Sequence, residues 1–238
     1  MNSTVLVAAV GALVVVCAWL AYQVRSNQRR VRELTDALES RTTELESARL
    51  QLQRQSTEDG LTAVANHEQL LEFLEREWRR ARRDREAVSL VMLDLDAFRA
   101  FNRQYGRRAG DDCLRQIGRA LSGIVGRAGD LVARYHRDEF AVVLSRTDAA
   151  GALQIGERVR QAVEALQVPS AKDAPAPVVT ASVAVTSGVP ERESAWEELD
   201  LIKAARHGLK EARLAGGNRV VMSRIERLIP TMPGSLGN

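Results

Sequence analysis

Residues 131–144 read LVARYHRDEFAVVL, and this stretch decides the fold. Two runs rich in apolar and β-branched residues, LVARY and DEFAVVL, flank the polar pair His136-Arg137. Such a pattern predicts two strands joined by a tight hairpin turn. Upstream, residues 87–95 read AVSLVMLDL, an apolar run that predicts a buried strand tipped by the acidic residues Asp94 and Asp96.

The segments on either side of the hairpin predict further strands and several helices. Helices are expected at 68–86, 111–125, 148–166 and 194–214, and strands at 178–187 and 219–222. This mixture predicts an α+β domain in which helices surround a central sheet.

A membrane-spanning helix is predicted at residues 5–24, VLVAAVGALVVVCAWLAYQV. About 20 apolar residues rise roughly 30 Å as a helix, which is enough to cross a bilayer core. Arg25, Arg29, Arg30 and Arg32 follow it, whereas the first four residues carry no charged side chain. The positive-inside rule therefore places the rest of the chain in the cytoplasm. A cleaved signal peptide would have a basic start and a small-residue cleavage site, which are missing here. A buried soluble helix is the other alternative.

A heptad repeat follows the apolar segment. Its apolar positions are Val24, Val31, Leu38, Leu45 and Leu52. The repeat predicts a short parallel coiled coil that would hold two chains side by side, and an amphipathic helix packed on its own domain is the alternative. The predicted organisation is an anchor at 1–24, a linker at 25–58, a main domain at 59–224 and a disordered tail at 225–238.

Charge and cysteine content exclude several classes of protein. The 34 basic and 31 acidic residues leave a net charge of +3, which argues against a nucleic-acid binder built on bulk charge. The two cysteines, Cys17 and Cys113, lie far apart and exclude a disulfide scaffold and a cysteine-rich zinc site.

Acidic side chains stand at the ends of two predicted strands. Asp94 and Asp96 end one strand, while Asp138 and Glu139 open another just after a turn. If these strands are neighbours, the carboxylates converge at one edge of the sheet. Oxygen ligands in such a place suit Mg²⁺ or Mn²⁺ carrying substrate phosphates. Glycine-rich nucleotide loops and nucleophile elbows do not occur in the chain.

Four motifs, in order, carry a resemblance to a known family. They are DGLT at 59–62, DLDAFRAFNRQYGRRAGD at 94–111, RYHRDEF at 134–140 and ARLAGGN at 212–218. With these motifs the chain resembles the GGDEF domain family, the diguanylate cyclases, over about 165 residues. The resemblance implies a nucleotide-cyclase-like central sheet with surrounding helices. The signature itself is degenerate, since it reads HRDEF at His136–Phe140.

The resemblance also implies a reaction and a metal site. Two domains, each holding GTP, would face each other and join their nucleotides into cyclic di-GMP. Asp94, the Leu95 carbonyl and Asp138 would hold Mg²⁺ or Mn²⁺. Asp138 would also assist deprotonation of the attacking hydroxyl, and Glu139 would support the metal site.

Further positions match the nucleotide-binding residues of the family. Asn102 and Asp111 match the guanine-edge ligands, and their chemistry fits, because a carboxylate accepts from guanine N–H groups and an amide both donates and accepts. Arg99 stands where the family has a phosphate-binding lysine, and Arg213, also expected to bind nucleotide, stands where the family has another lysine. An arginine keeps the charge of a lysine but not its compact shape.

Other positions depart from the family pattern. His136 and Arg137 replace two glycines whose bare backbone would lie close against the nucleotide. Gly217 replaces a phosphate-binding arginine. Bulk at the hairpin tip and loss of phosphate charge both disfavour the transition state, and about 4 kcal/mol is about a thousandfold in rate. These departures predict little or no cyclase activity.

A second site of the family, which binds the cyclic di-GMP product, is matched more closely. Arg127 and Asp130 match its R-x-x-D motif, and Arg158 matches its further arginine. Arginines suit bidentate contact to phosphate and to guanine, with the aspartate accepting from guanine N–H. The alternative is a solvated Arg127/Asp130 pair worth under about 1 kcal/mol.

The favoured interpretation is a degenerate GGDEF protein of the bacterial inner membrane, with its domain in the cytoplasm, that acts as a cyclic di-GMP receptor or regulator. A weak but active cyclase is the first alternative. A non-catalytic module that binds GTP or another protein is the second. Expected partners are cyclic di-GMP, GTP, a second copy of the chain through the coiled coil, and other proteins, but not nucleic acid.

Overall fold

The computed structural model describes residues 57–127, 129–191 and 196–225, together with six residues nearer the N-terminus. The chain divides into two units, Met1–Gln55 and Ser56–Asn238, and the three described ranges belong to the second. The predicted membrane helix, coiled coil and tail therefore lie almost entirely outside the described residues. Among the residues that are described, no helix is long and apolar enough to cross a membrane.

The described ranges contain five helices and five strands. The helices are α1 His67–Asp84, α2 Phe98–Tyr105, α3 Arg107–Ile124, α4 Ala149–Ala165 and α5 Glu198–Leu214. The strands are β1 Val88–Leu95, β2 Leu131–His136, β3 Glu139–Ser145, β4 Ala181–Gly188 and β5 Val220–Met222.

The strands form one mixed sheet in the order β2-β3-β1-β4-β5. All neighbours are antiparallel except β4 and β5, which are parallel. Strand β1 is central and buried along its whole length, which explains its continuous apolar sequence. The expected α+β fold with a central sheet is confirmed.

Helices cover both faces of the sheet because side chains alternate along each strand. Val91 and Leu93 of β1 point into a core shared with α2, α3 and α4. Leu90 and Met92 point into a second core shared with α1 and α5, where Trp78 is the largest buried side chain. Packing in the two cores fixes the position of every element that ends near the predicted acidic residues at one end of the sheet.

The helix expected at 111–125 is preceded by a short separate helix. Helix α2 ends and α3 begins at Gly106, whose φ of +84° is a conformation that glycine adopts without strain. The chain turns sharply there. As a result, Asn102 in α2 faces the first turn of α3.

The hairpin turn lies one residue later than the sequence pattern predicted. Strand β2 continues to His136, and the two-residue turn is Arg137-Asp138 rather than His136-Arg137. The pairing skips Tyr135 between Arg134 and His136, which is a β-bulge. This extra residue shifts the turn and leaves Arg137 with a φ of +39°.

A polar clasp joins the start of the domain to the hairpin tip. Asp59 Oδ1 accepts hydrogen bonds from the Thr62 backbone N–H (2.9 Å), from the Thr62 hydroxyl (2.7 Å) and from Arg134 Nη1 (3.1 Å). Arg134 also donates from Nε to the Arg137 carbonyl oxygen at 2.8 Å. One guanidinium therefore holds both the DGLT turn and the carbonyl of the residue at the tip.

The clasp predicts a loss of stability in Asp59→Asn. The amide keeps the shape of the side chain but loses the charge that Arg134 pairs with, so the free energy of unfolding at pH 7 falls by about 1–2 kcal/mol. Burial raises the pKa of Asp59, but hydrogen bonds from Thr62 and the charge of Arg134 lower it overall. A lowered pKa stabilises the fold above the unfolded value, and this gain is lost as pH falls through the folded value.

Urea denaturation of residues 56–238 measures the effect. The difference between wild type and Asp59→Asn should be full at pH 7 and shrink below about pH 4. Asp148→Asn is the matched control, because Asp148 caps α4 through Gly151 N–H and asparagine caps a helix equally well. A difference for Asp59→Asn that does not change with pH would contradict the prediction.

Candidate nucleotide and metal site

A cavity of about 690 Å³ opens at one end of the sheet. It lies among the end of β1, the β2–β3 turn, the start of α2 and the loop that follows α5. Its lining includes six of the residues that the sequence predicted: Asp94, Leu95, Arg99, Asp138, Glu139 and Arg213. The lining also includes His136, Arg137, Gly216 and Gly217.

The carboxylates converge because β1 and β3 are antiparallel neighbours. Asp94, near the end of β1, is the direct partner of Glu139, which begins β3. Asp138 stands in the turn immediately before Glu139. The condition set by the sequence pattern, that the acid-bearing strands be adjacent, is therefore met.

Asp94 is the buried member of this group, with a side chain that is 9% exposed. Its Oδ2 accepts a hydrogen bond from the guanidinium of Arg213, and the same guanidinium lies 4.0 Å from Glu139 Oε1. Burial raises the pKa of Asp94 to about 7; Arg213 opposes the rise, and the charges of Asp138 and Glu139 add to it. Asp94 is thus a carboxylate that needs a nearby positive charge to stay ionised.

The donor set fits a hard divalent cation in its chemistry. The carboxylates of Asp94 and Asp138 and the carbonyl group of Leu95 offer only oxygen ligands, which suit Mg²⁺ or Mn²⁺. In residues 57–127, 129–191 and 196–225, however, no three His, Cys, Asp or Glu side chains are arranged to hold a metal by themselves. A cation here would need the backbone carbonyl, or phosphate oxygens from a ligand, to complete its shell.

Asp96 is a structural residue rather than a metal ligand. Its carboxylate accepts hydrogen bonds from Thr180 Oγ1 (2.8 Å), Ser182 Oγ (2.7 Å) and the Asn218 backbone N–H (2.9 Å). A Cβ added at Gly217 would lie 2.9 Å from the Asp96 carboxyl. The loop after α5 can approach Asp96 this closely because residue 217 has no side chain.

Asn218 fixes the same loop from its other side. Its side-chain Oδ1 accepts from Arg160 Nη1 at 2.6 Å, and its Nδ2 donates to Glu164 Oε1 at 3.2 Å. Arg160 is held in turn by Glu157 and Glu164 on α4. This network ties α4 to the wall of the cavity, and it could not be predicted from the sequence because Arg160 belongs to no motif.

The predicted guanine-binding pair lies just beyond the cavity lining, at the junction of α2 and α3. Asn102 Oδ1 is buried and has no hydrogen-bond partner among the described residues. It faces Gly110, where an added Cβ would lie only 1.9 Å from it, and Asp111 is the next residue. A buried acceptor without a donor is a free-energy cost that a ligand N–H would remove.

The substituted signature residues stand at the rim of the cavity. His136 and Arg137 are both exposed and both line the opening. Because Arg137 has a positive φ, its backbone adopts a conformation that favours glycine while carrying the largest basic side chain. Residue 137 therefore has a backbone conformation that is typical of glycine, and the side chains of His136 and Arg137 add bulk beside Asp138.

Two of the predicted product-binding residues, Arg127 and Asp130, lie at the opposite end of the sheet, whereas the third, Arg158, lies in the second half of α4. Asp130 precedes β2, and its carboxylate accepts from the Ser145 backbone N–H at 3.0 Å, at the far end of β3 from Glu139. Strand β1 runs between the two ends, so they are roughly 20 Å apart. Arg127 and Arg158 are exposed, and no ion pair or hydrogen bond joins Arg158 to Arg127 or Asp130 among the described residues.

Asp130 has a structural task that its motif does not reveal. The Ser145 hydroxyl lies 2.8 Å from Oε2 of the buried Glu77 and 2.5 Å from the Gly129 carbonyl oxygen. Burial raises the pKa of Asp130, whereas the Ser145 N–H and Arg127 lower it. The Oδ1 atom of Asp130 therefore helps to hold β2 against β3, and a ligand would have to bind the other carboxylate oxygen.

Comparison with known proteins gives consistent matches. The family model described as "Diguanylate cyclase, GGDEF domain" matches residues 56–219. The probable diguanylate cyclase DgcC of Escherichia coli K12 is 32% identical over 178 residues, which cover 74% of this chain and 46% of that protein.

Two solved structures have the same fold. Diguanylate cyclase SiaD of Pseudomonas aeruginosa, in complex with its activator SiaC, is 29% identical with a TM-score of 0.63, covering 86% of this chain and 76% of that one. The coiled coil and GGDEF domain of Caulobacter crescentus DgcB, in complex with c-di-GMP, is 25% identical with a TM-score of 0.63, covering 80% and 99%.

The chain spans less than half the length of the curated relative DgcC. The match to the family model nevertheless covers more than half of this chain and includes every motif on which the resemblance was based. The chain therefore belongs to the GGDEF domain family.

Proposed function

We propose that the chain is a membrane-anchored, degenerate GGDEF protein that binds cyclic di-GMP and has little or no cyclase activity. The observation that carries the proposal is the state of the hairpin tip. His136 and Arg137 crowd the rim of the cavity beside Asp138, at the place where a triphosphate and its ribose would have to lie.

Two further features support low turnover. Arg213 is paired with Asp94, so a metal has to compete with this cation for the carboxylate. Gly217 stands where the family has a phosphate-binding arginine, and its contact with Asp96 leaves no room for a side chain. Fewer phosphate contacts and a crowded rim both weaken the stabilisation of a transition state that two nucleotides must share.

The residues that would hold Mg²⁺ or Mn²⁺ are Asp94, Asp138 and the Leu95 carbonyl. When bound, such an ion would neutralise phosphate charge and polarise the reacting phosphorus. Asp138 lies in the turn, where its carboxylate would accept a proton from a nucleotide hydroxyl, and Glu139 would orient the site from the first position of β3.

Cyclic di-GMP binding is assigned to Arg127, Asp130 and Arg158. The two arginines are exposed, and although the charge of Arg127 acts on Asp130, neither forms a salt bridge among the described residues, so both guanidinium groups can reach phosphate or guanine. The structure of DgcB that shares this fold was solved in complex with c-di-GMP. Arg127 and Asp130 lie at the end of the sheet away from the altered hairpin, so binding by them would not depend on an intact catalytic centre.

An active cyclase is the second candidate, and a specific observation favours it. Asp94, Asp138, Glu139, Asn102 and Asp111 are all retained, and Asn102 presents a buried acceptor without a partner. DgcC, a relative of similar sequence, is named as a probable diguanylate cyclase. Cyclic di-GMP formed from GTP and Mg²⁺ by the purified wild type, at rates of about 1 per second, would establish this function instead.

Anchoring and assembly complete the proposal. The apolar segment 5–24 would anchor the chain in the bacterial inner membrane, and the heptads at 25–58 would pair two chains beneath it. The matched DgcB structure contains a coiled coil, and SiaD was solved with a protein activator. By analogy with SiaD, we propose that a protein partner acts on this domain.

Calorimetry on residues 56–238 tests the receptor proposal. Cyclic di-GMP should bind with a Kd on the order of 10 µM or tighter, and Arg127→Ala and Arg158→Ala should each weaken binding about tenfold or more. Arg83→Ala, which removes an exposed arginine from α1, is the matched control and should bind like wild type. Absence of binding at tens of micromolar would exclude the receptor function. Asp130 is left unchanged because its loss would also free Ser145 N–H.

Restoring the family glycines tests the steric argument. The double variant His136→Gly/Arg137→Gly removes both side chains from the rim and suits the positive φ at residue 137. With GTP and Mg²⁺ it should form cyclic di-GMP at least about tenfold faster than wild type, and adding Asp138→Asn should abolish the gain. Equal rates for wild type and the glycine variant would refute crowding as the cause of low turnover.

A reporter fused to the C-terminus tests the topology. The positive-inside rule predicts a cytoplasmic C-terminus, so a periplasm-active enzyme fused there should give no signal, and a cytoplasm-active one should be functional. Deleting residues 1–24 should release the second fusion from the membrane fraction. Activity of the periplasmic reporter would reverse the predicted orientation.

A further inference from the structure

Arg213 stands between two carboxylates of the candidate metal site. Its guanidinium donates to Asp94 Oδ2, and the nitrogen that does so lies 4.0 Å from Glu139 Oε1. Arg213 belongs to the last turn of α5, and its side chain is 47% exposed, whereas that of Asp94 is 9% exposed. The buried Asp94 carboxylate therefore has little freedom to move, and the Arg213 guanidinium that neutralises it extends to it from the protein surface.

We propose that Arg213 is an internal cation that competes with the divalent metal for Asp94. In the absence of nucleotide, the guanidinium occupies the electrostatic position of the metal, so the site is held in a metal-free state. This inference rests on the metal site proposed above and not on cyclic di-GMP binding.

The two cations compete for the same oxygen of Asp94. A hard divalent ion binds a carboxylate oxygen at about 2.0–2.6 Å, and Oδ2 of Asp94 is the oxygen that Arg213 already uses. A metal at this distance would also repel the guanidinium. Binding of the metal at Oδ2 therefore requires that Arg213 move away, and binding at the other oxygen is weakened by the charge of Arg213.

The position of Arg213 makes such a movement feasible. About half of its side chain is in solvent, and the residue lines the open cavity, so a change of side-chain rotamer is enough to release it. In the cavity the released guanidinium would meet the phosphates of a bound nucleotide, which it can bind in a bidentate manner. Nucleotide would thus give Arg213 a second partner and clear Asp94 for the metal.

An arginine at position 213 competes with the metal for Asp94 more strongly than a lysine would. A planar guanidinium can donate to one carboxylate and remain close to a second, as it does here with Asp94 and Glu139. A lysine ammonium is more strongly hydrated and acts as a point charge. The arginine therefore favours the metal-free arrangement.

Binding of Mn²⁺ alone tests the proposal in the purified full-length chain in detergent. The electron paramagnetic resonance signal of free Mn²⁺ reports the bound fraction, measured at about pH 8 so that carboxylates are ionised. Arg213→Met should bind Mn²⁺ at least about tenfold more tightly than wild type, because the competing cation is gone. Adding Asp94→Asn to Arg213→Met should abolish that gain.

Arg206→Met is the matched control. It makes the same substitution at an exposed arginine on the same helix, about 10 Å further from the site along the helix axis. Its Mn²⁺ affinity should stay within about twofold of wild type, since a charge this far away is largely screened. An equal gain in both variants would mean that only net charge matters, and it would overturn the proposal.

Two other outcomes are decisive. If wild type and Arg213→Met bind Mn²⁺ equally through Asp94, the metal site stands and the role of Arg213 falls. If no variant binds Mn²⁺, the metal site falls as well, while cyclic di-GMP binding by the same preparation remains a separate result. Arg213→Gln, which keeps a hydrogen-bond donor for Asp94, gives the same test if Arg213→Met does not fold.

Discussion

A single buried carboxylate, Asp94, sets the electrostatic requirements of the end of the sheet that carries the candidate metal site. It lies near the end of the central strand, opposite Glu139 and next to the turn that carries Asp138. Burial and two like charges make its ionised form unfavourable unless a cation is present. Arg213 supplies that cation in this structure, and a divalent ion would supply it in a nucleotide complex. The chemistry of the site therefore depends on which cation neutralises Asp94.

The surrounding scaffold holds the cavity walls by polar contacts as well as by apolar packing. Asp96 gathers donors from β4 and from the loop after α5, while Asn218 ties that loop to α4. On the opposite wall, Arg134 connects the hairpin tip to the DGLT turn through Asp59. Because each wall is fixed by several hydrogen bonds, substitutions at the exposed tip change what the cavity admits without disturbing the strands that form it.

Much of the architecture could be predicted from local patterns. The apolar run of β1, the alternating hairpin strands and the helical spacing of α3 and α5 follow from burial, which leaves a direct mark on sequence. The convergence of Asp94 with Glu139 could be anticipated only under the condition that their strands are neighbours. The turn position could not, because the bulge at Tyr135 depends on pairing between strands and has no signal of its own.

Side-chain partnerships were the least predictable part of the site. Nothing in the sequence of Arg213 indicates whether it faces solvent, a phosphate or Asp94, since the choice depends on the three-dimensional positions of the carboxylates. The same holds for Asp130, whose bond to Ser145 N–H is set by the register between β2 and β3. Motif matching assigns such residues a ligand, whereas the fold also assigns them a structural task.

The geometry explains how binding and catalysis could be separated in one domain. Catalysis between two bound nucleotides requires reacting atoms to be placed within fractions of an ångström, so two bulky side chains at the rim would be enough to impair it. Recognition of a dinucleotide by exposed side chains tolerates looser placement, and Arg127 and Asp130 lie at the other end of the sheet from that rim. A central strand of eight residues keeps the two ends apart, and each end relies on its own carboxylate, Asp94 or Asp130, as its fixed point. Changes that remove the chemistry at one end therefore leave the other end free to be retained for binding.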